Sequence, residues 1–390
     1  MFIHTVNADE SIEDIAKKYG VTEELIREHN GIDAGECAVG EELLILTPTR
    51  THKLSRLDTP ERLSLRFGIR MADLLTYNPR LALGEWREGE TIALKYDARP
   101  YGLAAANGYV YKGCGQARLK KLMPHLTYVT VASAVASEDG ISYIFDHGAI
   151  FDLIREYGRI AILRVYSKCK AESFRSEEFR RDLIGKIIES AKALGCAGIA
   201  LGGSYAEDIA GFLVELRKEM IGCDLILITE VDEQSPTELC DYSDGCVLSY
   251  AKYAEPVPPS FDDGEKKIYS DYAVNSESSK TFIELQSLST AGDGYVAICD
   301  ALASARRSKA VIKQDQTTLL SEFDCKKRGR HRFTSLKNIN ALLDIINEYG
   351  FMGVCFDIMR VPENAVMLFS AHYKCATPPK EVGREGCSRE

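Results

Sequence analysis

Residues 195–208 read GCAGIALGGSYAED, an apolar run that ends in glycine and serine. Residues 199–201 form a predicted strand, and Glu207 and Asp208 stand where the next helix would begin, since acidic side chains favour a helix N-terminus. A buried strand that leads into a helix is the repeating unit of a parallel sheet. If the chain forms such a sheet, the same alternation of buried strand and helix should recur along the rest of the sequence.

Such units recur eight times from about residue 98 onward. The predicted strands are GYVY (108–111), TYVTVAS (127–133), RIAILRVY (159–166), GIAL (198–201), LILIT (225–229), CVLSY (246–250), TFIEL (281–285) and GVCFDI (353–358). They are nearly continuous apolar runs, as is typical of a parallel sheet covered by helices. Eight units in about 270 residues predict an α/β fold of the TIM barrel type, (β/α)8.

The first hundred residues contain a different pattern, a tandem repeat. Residues 2–46 and 51–95 each predict a strand, a helix that ends at Gly20 or Gly68, a second helix that ends at Asn30 or Asn78, and a closing strand. The predicted domains are therefore two small βααβ modules (1–48 and 51–97), the barrel (98–375) and a polar C-terminal tail (376–390).

Each βααβ copy resembles the LysM module, a family that binds glycans containing N-acetylglucosamine (GlcNAc). The second copy keeps the family's Asp-Thr and Asn-Pro pairs, whereas Asp9, Glu10 and Ser11 replace its Gly-Asp-Thr. In that family the glycan lies between the loop after the first strand and the loop after the second helix. The resemblance thus implies glycan-binding residues at Asp9, Glu10, Ser11, Asn30, Gly31 and Ile32 in the first copy and at Asp58, Thr59, Pro60, Asn78, Pro79 and Arg80 in the second. From the residues alone, Asp58 and Thr59 can equally well cap a helix and Asn78 can end one.

Tandem LysM-like modules before a barrel resemble the spore-associated branch of glycoside hydrolase family 18, chitinase-like barrels that cleave peptidoglycan. The stretch SEFDCKKRGRHRFTSLKNINALLDIINEYGFMGVCFDIMR (321–360) is similar to that family's late hairpin, helix and eighth strand. The family ends its fourth strand with DGxxxDxE, and the acetamido group of the substrate acts as the nucleophile, which is an exception among glycosidases.

The chain departs from that motif at all three acidic positions, which are occupied by Ala197, Gly202 and Ser204. Tyr250 keeps the aromatic residue of the sixth strand, but no acid follows it. A serine hydroxyl does not serve as a general acid at neutral pH, and general acid–base catalysis contributes about 10²–10⁴-fold. The resemblance therefore implies a pseudoenzyme whose barrel has lost the family's chemistry and whose modules bind peptidoglycan or another GlcNAc polymer.

The alternative is an active N-acetylglucosaminidase or chitinase-like hydrolase that uses relocated carboxylates. Glu230 follows the predicted fifth strand, Glu284 lies in the seventh and Asp357 in the eighth, and all three can face the barrel mouth, where barrel enzymes keep their sites. Glu230 and Asp357, with Tyr250 beside them, are the predicted substitutes, and such a pair has to converge within roughly 5–10 Å. The opposing interpretation is that these acids bind loops and line an inert polar cavity.

Charge and composition narrow the range of partners. The net charge of −10 argues against nucleic acid, and no apolar run approaches the roughly 20 residues that cross a bilayer. The N-terminus has neither the basic nor the apolar region of a secretory signal. The resemblance implies synthesis in the cytoplasm and deposition on a spore coat or cortex or on the cell wall, next to coat or cortex proteins.

The twelve cysteines are scattered, without a CxxC pair or the Cys/His spacing of a zinc finger. This distribution predicts reduced thiols and neither a metal site nor a cofactor. A third hypothesis is assembly, in which Cys375 and Cys387 crosslink a spore layer after oxidation.

Overall fold

The computed structural model describes residues 1–33, 35–97, 101–202, 209–232, 237–249, 269, 271–274, 276–292, 294–315, 320–326 and 328–375. The first module contains β1 (Phe2–Thr5), α1 (Ile12–Tyr19), α2 (Glu23–His29) and β2 (Glu42–Ile45). The second contains β3 (Arg50–Lys53), α3 (Pro60–Phe67), α4 (Met71–Tyr77), a 3-10 helix (Pro79–Leu83) and β4 (Thr91–Lys95). In each module the two strands pair antiparallel, as the repeat predicts.

Local sequence explains where the module helices begin and end. The side-chain oxygens of Ser11, Thr22 and Thr59 accept backbone N–H groups at the starts of α1, α2 and α3. Gly20 and Gly68 end α1 and α3 with φ angles of 65° and 64°, a conformation that glycine adopts without steric penalty.

The barrel begins with β5 (Gly102–Val110), α5 (Gln116–Leu122), a 3-10 helix (Met123–His125), β6 (Tyr128–Ser137), β7 (Gly140–Tyr143), α6 (Gly148–Glu156), β8 (Ile160–Ser167), a 3-10 helix (Ala171–Arg175), α7 (Glu177–Ala193) and β9 (Gly198–Gly202). It continues with α8 (Ile209–Ile221), β10 (Ile226–Asp232), a 3-10 helix (Thr237–Tyr242), β11 (Gly245–Ser249), a 3-10 helix (Ser278–Lys280) and β12 (Thr281–Glu284). After an insertion it ends with α10 (Leu336–Tyr349), β18 (Gly353–Asp357), α11 (Glu363–His372) and β19 (Tyr373–Cys375).

Eight parallel strands close into a barrel, which confirms the predicted TIM fold. Their order is β5, β6, β8, β9, β10, β11, β12 and β18, and β5 pairs with both β6 and β18. The short strand β7 extends β6 as an antiparallel hairpin, and β19 pairs with the start of β5; neither follows from the apolar pattern.

The insertion between β12 and β18 is an antiparallel sheet that the sequence predicts only in its last hairpin. It contains β13 (Leu288–Ala291), β14 (Gly294–Ala297), α9 (Ile298–Ser308), β15 (Lys313–Gln314), β16 (Leu320–Cys325) and β17 (Gly329–Thr334). The sheet order is β14-β13-β17-β16-β15. Its apolar core also takes in Ala38 of the first module, so that module packs directly on the barrel body.

The expectation of reduced thiols is wrong at one pair of cysteines. Cys240 and Cys246 form a disulfide, because the 3-10 helix Thr237–Tyr242 packs beside the start of β11 and brings their Cα atoms to 5.5 Å. Nine other cysteines in the described part of the chain are not in disulfides.

Candidate functional site

The C-terminal mouth of the barrel carries a ring of polar side chains above an apolar interior. Side chains alternate along a strand, and one inward-facing layer contains Ile162, Ala200, Ile228, Val247, Phe282 and Cys355. Two residues further along the same strands stand Arg164, Gly202, Glu230, Ser249, Glu284 and Asp357. The prediction that Glu230, Glu284 and Asp357 face the mouth agrees with this register, and the contacts between these side chains define the site.

Arg164 and Glu230 form a bidentate ion pair across the mouth. Arg164 Nε donates to Glu230 Oε1 and Arg164 Nη2 donates to Glu230 Oε2, both at 2.7 Å. The two side chains are only 18% and 17% exposed. Burial acts to lower the pKa of Arg164, but the Glu230 carboxylate outweighs it and holds that pKa above its usual range. This arrangement fixes the Glu230 carboxylate on a guanidinium instead of leaving it directed at a ligand.

Gly202 leaves the room that this ion pair occupies. A Cβ atom at position 202 would lie 2.6 Å from Arg164 Nη2 and closer still to Glu230 Oε2. An acidic side chain at the end of β9 is therefore incompatible with the pair as it stands. Ala197 precedes β9, at the opposite end of the strand from the mouth, whereas Ser204 and Tyr250 lie outside the described residues.

Glu284 is the mouth carboxyl best suited to carry a proton near neutral pH. It is half-buried, and Ser249 Oγ donates a hydrogen bond to its Oε2. Burial raises the pKa of Glu284 to about 7, and the charges of Glu230 and Asp357 act in the same direction. Strand position identifies this residue as inward-facing, but its pKa depends on neighbours that meet only in the closed barrel.

Asp357, at the end of β18, is held by the turn that follows it. Met359 N–H donates to its Oδ1 at 2.8 Å, and Arg360 Nε lies 3.3 Å from its Oδ2. Burial raises the pKa of Asp357, while these contacts oppose the rise. β11 and β12 separate β18 from the strand of Glu230 in the barrel. Cooperation between Glu230 and Asp357 therefore stays a prediction. The strand that pairs directly with β18 is β12, and its acidic side chain at the mouth is Glu284.

Two further polar groups lie deep in the barrel. Tyr109 is 6% exposed and Asn107 is fully buried. In the part of the chain that the structure describes, the Tyr109 hydroxyl and Asn107 Nδ2 have no hydrogen-bond partner. Buried polar groups are normally paired, so these two donors mark a place where a small polar molecule or water can bind.

The predicted glycan residues after the first strand of each module have internal partners. Glu10 Oε2 accepts from His4 Nε2 at 2.8 Å and from Asn7 N–H at 3.0 Å. Asp58 repeats this arrangement in the second module, accepting from His52 Nε2 and Ser55 N–H, each at 2.8 Å. The Ser55 backbone hydrogen bond and then His52 lower the pKa of Asp58 to about 2.

The remaining residues of these two loops have different roles. Ser11 and Thr59 cap helices, and Pro60 is the first residue of α3. Asp9 is exposed and has a positive φ of 62°. Of this group, Asp9 is the acidic side chain that faces solvent.

The asparagines that end the second helices serve as matched structural bridges. Asn30 Nδ2 donates to Ile26 and Leu44 carbonyls, and its Oδ1 accepts Leu44 N–H at 2.7 Å. Asn78 makes the equivalent bonds to Leu74 and Ala93, with Oδ1 2.8 Å from Ala93 N. Both side chains are buried, so contact with a glycan at these positions has to involve the neighbouring backbone.

The backbone next to these asparagines faces the other domains. Ile32 and Pro79 are buried, Arg80 N–H donates to Glu28 Oε1 at 2.7 Å, and the Gly31 carbonyl accepts from Arg306 Nη1 at 3.3 Å. The sequence places these residues in a glycan groove, whereas in the structure domain contacts engage the backbone of Gly31 and Arg80, and Ile32 lies in the apolar core of its own module.

Two features are absent from the described residues. Within those ranges, no helix has the length and apolar character needed to cross a membrane. The described side chains also contain no group of three or more His, Cys, Asp and Glu residues arranged to hold a metal ion.

Comparisons with known proteins support both parts of this architecture. The LysM domain family model matches residues 4–45, the copy that departs further from the family pattern. The spore cortex-lytic enzyme SleL of Bacillus megaterium is 16% identical, with a TM-score of 0.72 over 97% of this chain and 99% of that chain. SleL of Bacillus cereus is 17% identical, with a TM-score of 0.73 over 96% and 98%.

The class V chitinase of Nicotiana tobaccum covers a smaller part of this chain. It is 12% identical, with a TM-score of 0.60 over 69% of this chain and 99% of that chain. No curated protein matches the sequence significantly. The chain thus consists of an N-terminal LysM domain, a second βααβ module and a closed eight-stranded barrel with the fold of glycoside hydrolase family 18.

Proposed function

We propose that this protein binds peptidoglycan or another GlcNAc polymer at a spore coat, a spore cortex or a cell wall, and that its barrel no longer performs the family's hydrolysis. The LysM match and the fold similarity to spore cortex-lytic enzymes support the ligand class and the location. Coat or cortex proteins are the expected neighbours.

The Arg164–Glu230 pair is the observation that carries the proposal. It fills the space at Gly202, where the resemblance to family 18 expects an acidic side chain. A carboxylate that already accepts two hydrogen bonds from a guanidinium is engaged on both oxygens, and is therefore unsuited to protonate a leaving group.

Retention on insoluble polymers tests binding by the full-length chain. Vegetative peptidoglycan, spore-cortex peptidoglycan and chitin are incubated with the protein, and the sedimented fraction is measured. Asp9→Asn removes the exposed acid of the predicted groove and keeps a residue that tolerates positive φ, so binding is expected to fall severalfold. Glu36→Gln is the matched control, since it removes one negative charge from an exposed position of the same module outside the predicted groove.

The proposal predicts retention on at least one polymer, with Asp9→Asn weaker than Glu36→Gln. Absence of the wild-type protein from all three pellets would refute binding. Equal retention of both variants would refute the assignment of the groove residues while leaving polymer binding in place.

One observation favours a second candidate, hydrolysis with a relocated acid. Glu284 has a pKa of about 7 in the mouth, a value suited to a general acid at neutral pH. This candidate predicts that chitooligosaccharides release reducing ends, that the rate falls at least 10²-fold in Glu284→Gln, and that Glu322→Gln, in the insertion hairpin, retains full activity. No release by the wild-type protein would exclude it.

A further inference from the structure

The two predicted glycan loops meet at a single three-way junction instead of opening to solvent. In the second module, α4 is followed by the 3-10 helix Pro79–Leu83, whose Arg80 N–H donates to Glu28 on α2 of the first module. The same 3-10 helix packs on α5 of the barrel. The loop after α2 approaches α11, where a Cβ atom at Gly31 would lie 3.1 Å from the Glu363 carboxyl carbon.

An ion-pair cluster of the barrel lies beside this junction. Lys121 Nζ lies 2.6 Å from Glu363 Oε2, and Arg118 Nη1 lies 3.3 Å from Glu363 Oε1. Lys121 and Glu363 are 12% and 14% exposed, so the pair is largely screened from solvent. All three side chains belong to the barrel, so this cluster holds α5 and α11 together at the surface that the loop after α2 approaches.

The backbone groups that form these domain contacts are the hydrogen-bonding groups with which the loops would hold a sugar. Arg80 N–H is bonded to Glu28, and the Gly31 carbonyl is bonded to Arg306 of the barrel insertion. Saccharide recognition by these loops depends on such backbone donors and acceptors, because the Asn30 and Asn78 side chains are committed inside the modules. A glycan and the domain contacts therefore compete for the same atoms.

We infer that this junction is an autoinhibitory latch: while the modules are docked on each other and on the barrel, the loops after α2 and α4 are closed to a glycan, and binding there requires the junction to open. The inference rests on the proposed function, since it concerns the regulation of the same glycan loops. Glu28 is the group through which the latch responds to solution conditions.

The charges around Glu28 come from every element packed against it. Arg80 of the second module and Lys121 of α5 are the cationic neighbours; Glu363 of α11 is the anionic one, and Tyr96 lies close at the end of β4. Glu24, Glu85, Trp86 and Glu90 line the same small cavity as Glu28 and Arg80.

Burial raises the pKa of Glu28 to about 7, with the Glu363 charge adding to the rise and Arg80 and Lys121 opposing it. In an opened junction the same carboxyl is solvated and has a pKa near its ordinary value of 4.5. The docked state therefore binds the Glu28 proton more tightly, so the contribution of Glu28 to docking is full below about pH 4.5 and is lost as the pH rises to about 7. His29 acts in the opposite direction: its Nε2 lies 3.2 Å from the Tyr77 carbonyl oxygen of the second module, and burial lowers its pKa to about 4, so its contribution is full above about pH 6.5 and is lost as the pH falls towards 4.

Glycan retention and tryptophan emission of the full-length chain test the latch together. Retention on insoluble chitin is measured at about pH 5 and about pH 8 in a His29→Gln background, which removes the opposing imidazole, and a rise of at least about threefold is expected. Trp86, the only tryptophan, lines the junction and reports its opening by a red shift of emission over the same interval. Glu28→Gln keeps an acceptor for Arg80 N–H but cannot ionise, so both changes should disappear. Glu24→Gln, on the same helix, should retain both.

A pH-independent emission spectrum, or a pH response that persists in Glu28→Gln, would overturn the inference. A red shift that depends on Glu28, without retention at either pH on chitin or on peptidoglycan, would refute the proposed function and support opening of the junction. The two failures are thus distinguishable.

Discussion

Removing one partner of the Arg164–Glu230 pair is expected to destabilise the barrel strongly. Two hydrogen bonds of 2.7 Å place the charge centres about 4 Å apart, and an effective dielectric constant of about 20 gives an attraction of about 4 kcal/mol. Loss of one partner from a buried pair usually costs about 3–5 kcal/mol, because the other charge remains uncompensated. Arg164→Met should cost more than Glu230→Gln, since it leaves Glu230 beside Glu284 and Asp357.

Urea unfolding of the two single variants and of the double variant measures this effect as a thermodynamic cycle. The singles should each lose roughly 3 kcal/mol or more of the free energy of unfolding, and the double should lose clearly less than their sum. The pKa of Glu284 provides a second readout: it should fall in Glu230→Gln and rise in Arg164→Met, because each change removes a neighbouring charge. Single variants within about 0.5 kcal/mol of wild type, with additive effects, would refute a buried and mutually dependent pair.

Three further changes test the site and the modules. Gly202→Ala should lower the free energy of unfolding by about 1–3 kcal/mol, because the added methyl group crowds the ion pair. Gly211→Ala on α8 should not lower it, because no atom lies within 4 Å of the added carbon. Urea unfolding measures both variants. Asn78→Ala should cost about 2–3 kcal/mol by leaving the backbone groups of Ala93 unpaired, and a melting temperature within one degree or so of wild type would contradict the bridging role. Asp58→Asn should remove a contribution to stability that the wild type holds above about pH 4 and loses as the pH falls towards 2; matching acid-unfolding curves for the two proteins would argue against it.

The strand pattern predicts the barrel because each strand is buried on both faces. Each of the eight predicted apolar runs overlaps one of the eight strands that close the sheet. The insertion sheet escapes prediction except at β16 and β17, because its other strands are short and its core depends on Ala38, far away in the first module. The disulfide is missed for a similar reason, since the contact between Cys240 and Cys246 depends on how a 3-10 helix packs.

The barrel mouth shows the limit of predictions that are made from single sequence positions. The sequence places Gly202 at an acidic position of the family motif, and register alone places Glu230 and Glu284 inside the barrel. Arg164 is the available signal for a partner, as a charge inside the apolar strand IAILRVY (160–166), but nothing local connects it to Glu230, 66 residues later. The raised pKa of Glu284 likewise depends on burial and on charges from other strands.

The loops of the modules show the same limit. The sequence marks Asn30 and Asn78 as equivalent ends of helices, and the structure gives them equivalent bonds. That Arg80 bonds to Glu28 across the module boundary depends on domain docking, which a repeat pattern does not encode.

Mass spectrometry of the material released from peptidoglycan tests the central claim most directly. The full-length protein is incubated with vegetative and spore-cortex peptidoglycan, beside a heat-inactivated control, after retention on the polymer has been verified. A binding protein with an inactive barrel releases no fragments beyond that control. Defined muropeptides that disappear in Glu284→Gln would contradict the account and would establish hydrolysis with an acid on the seventh barrel strand.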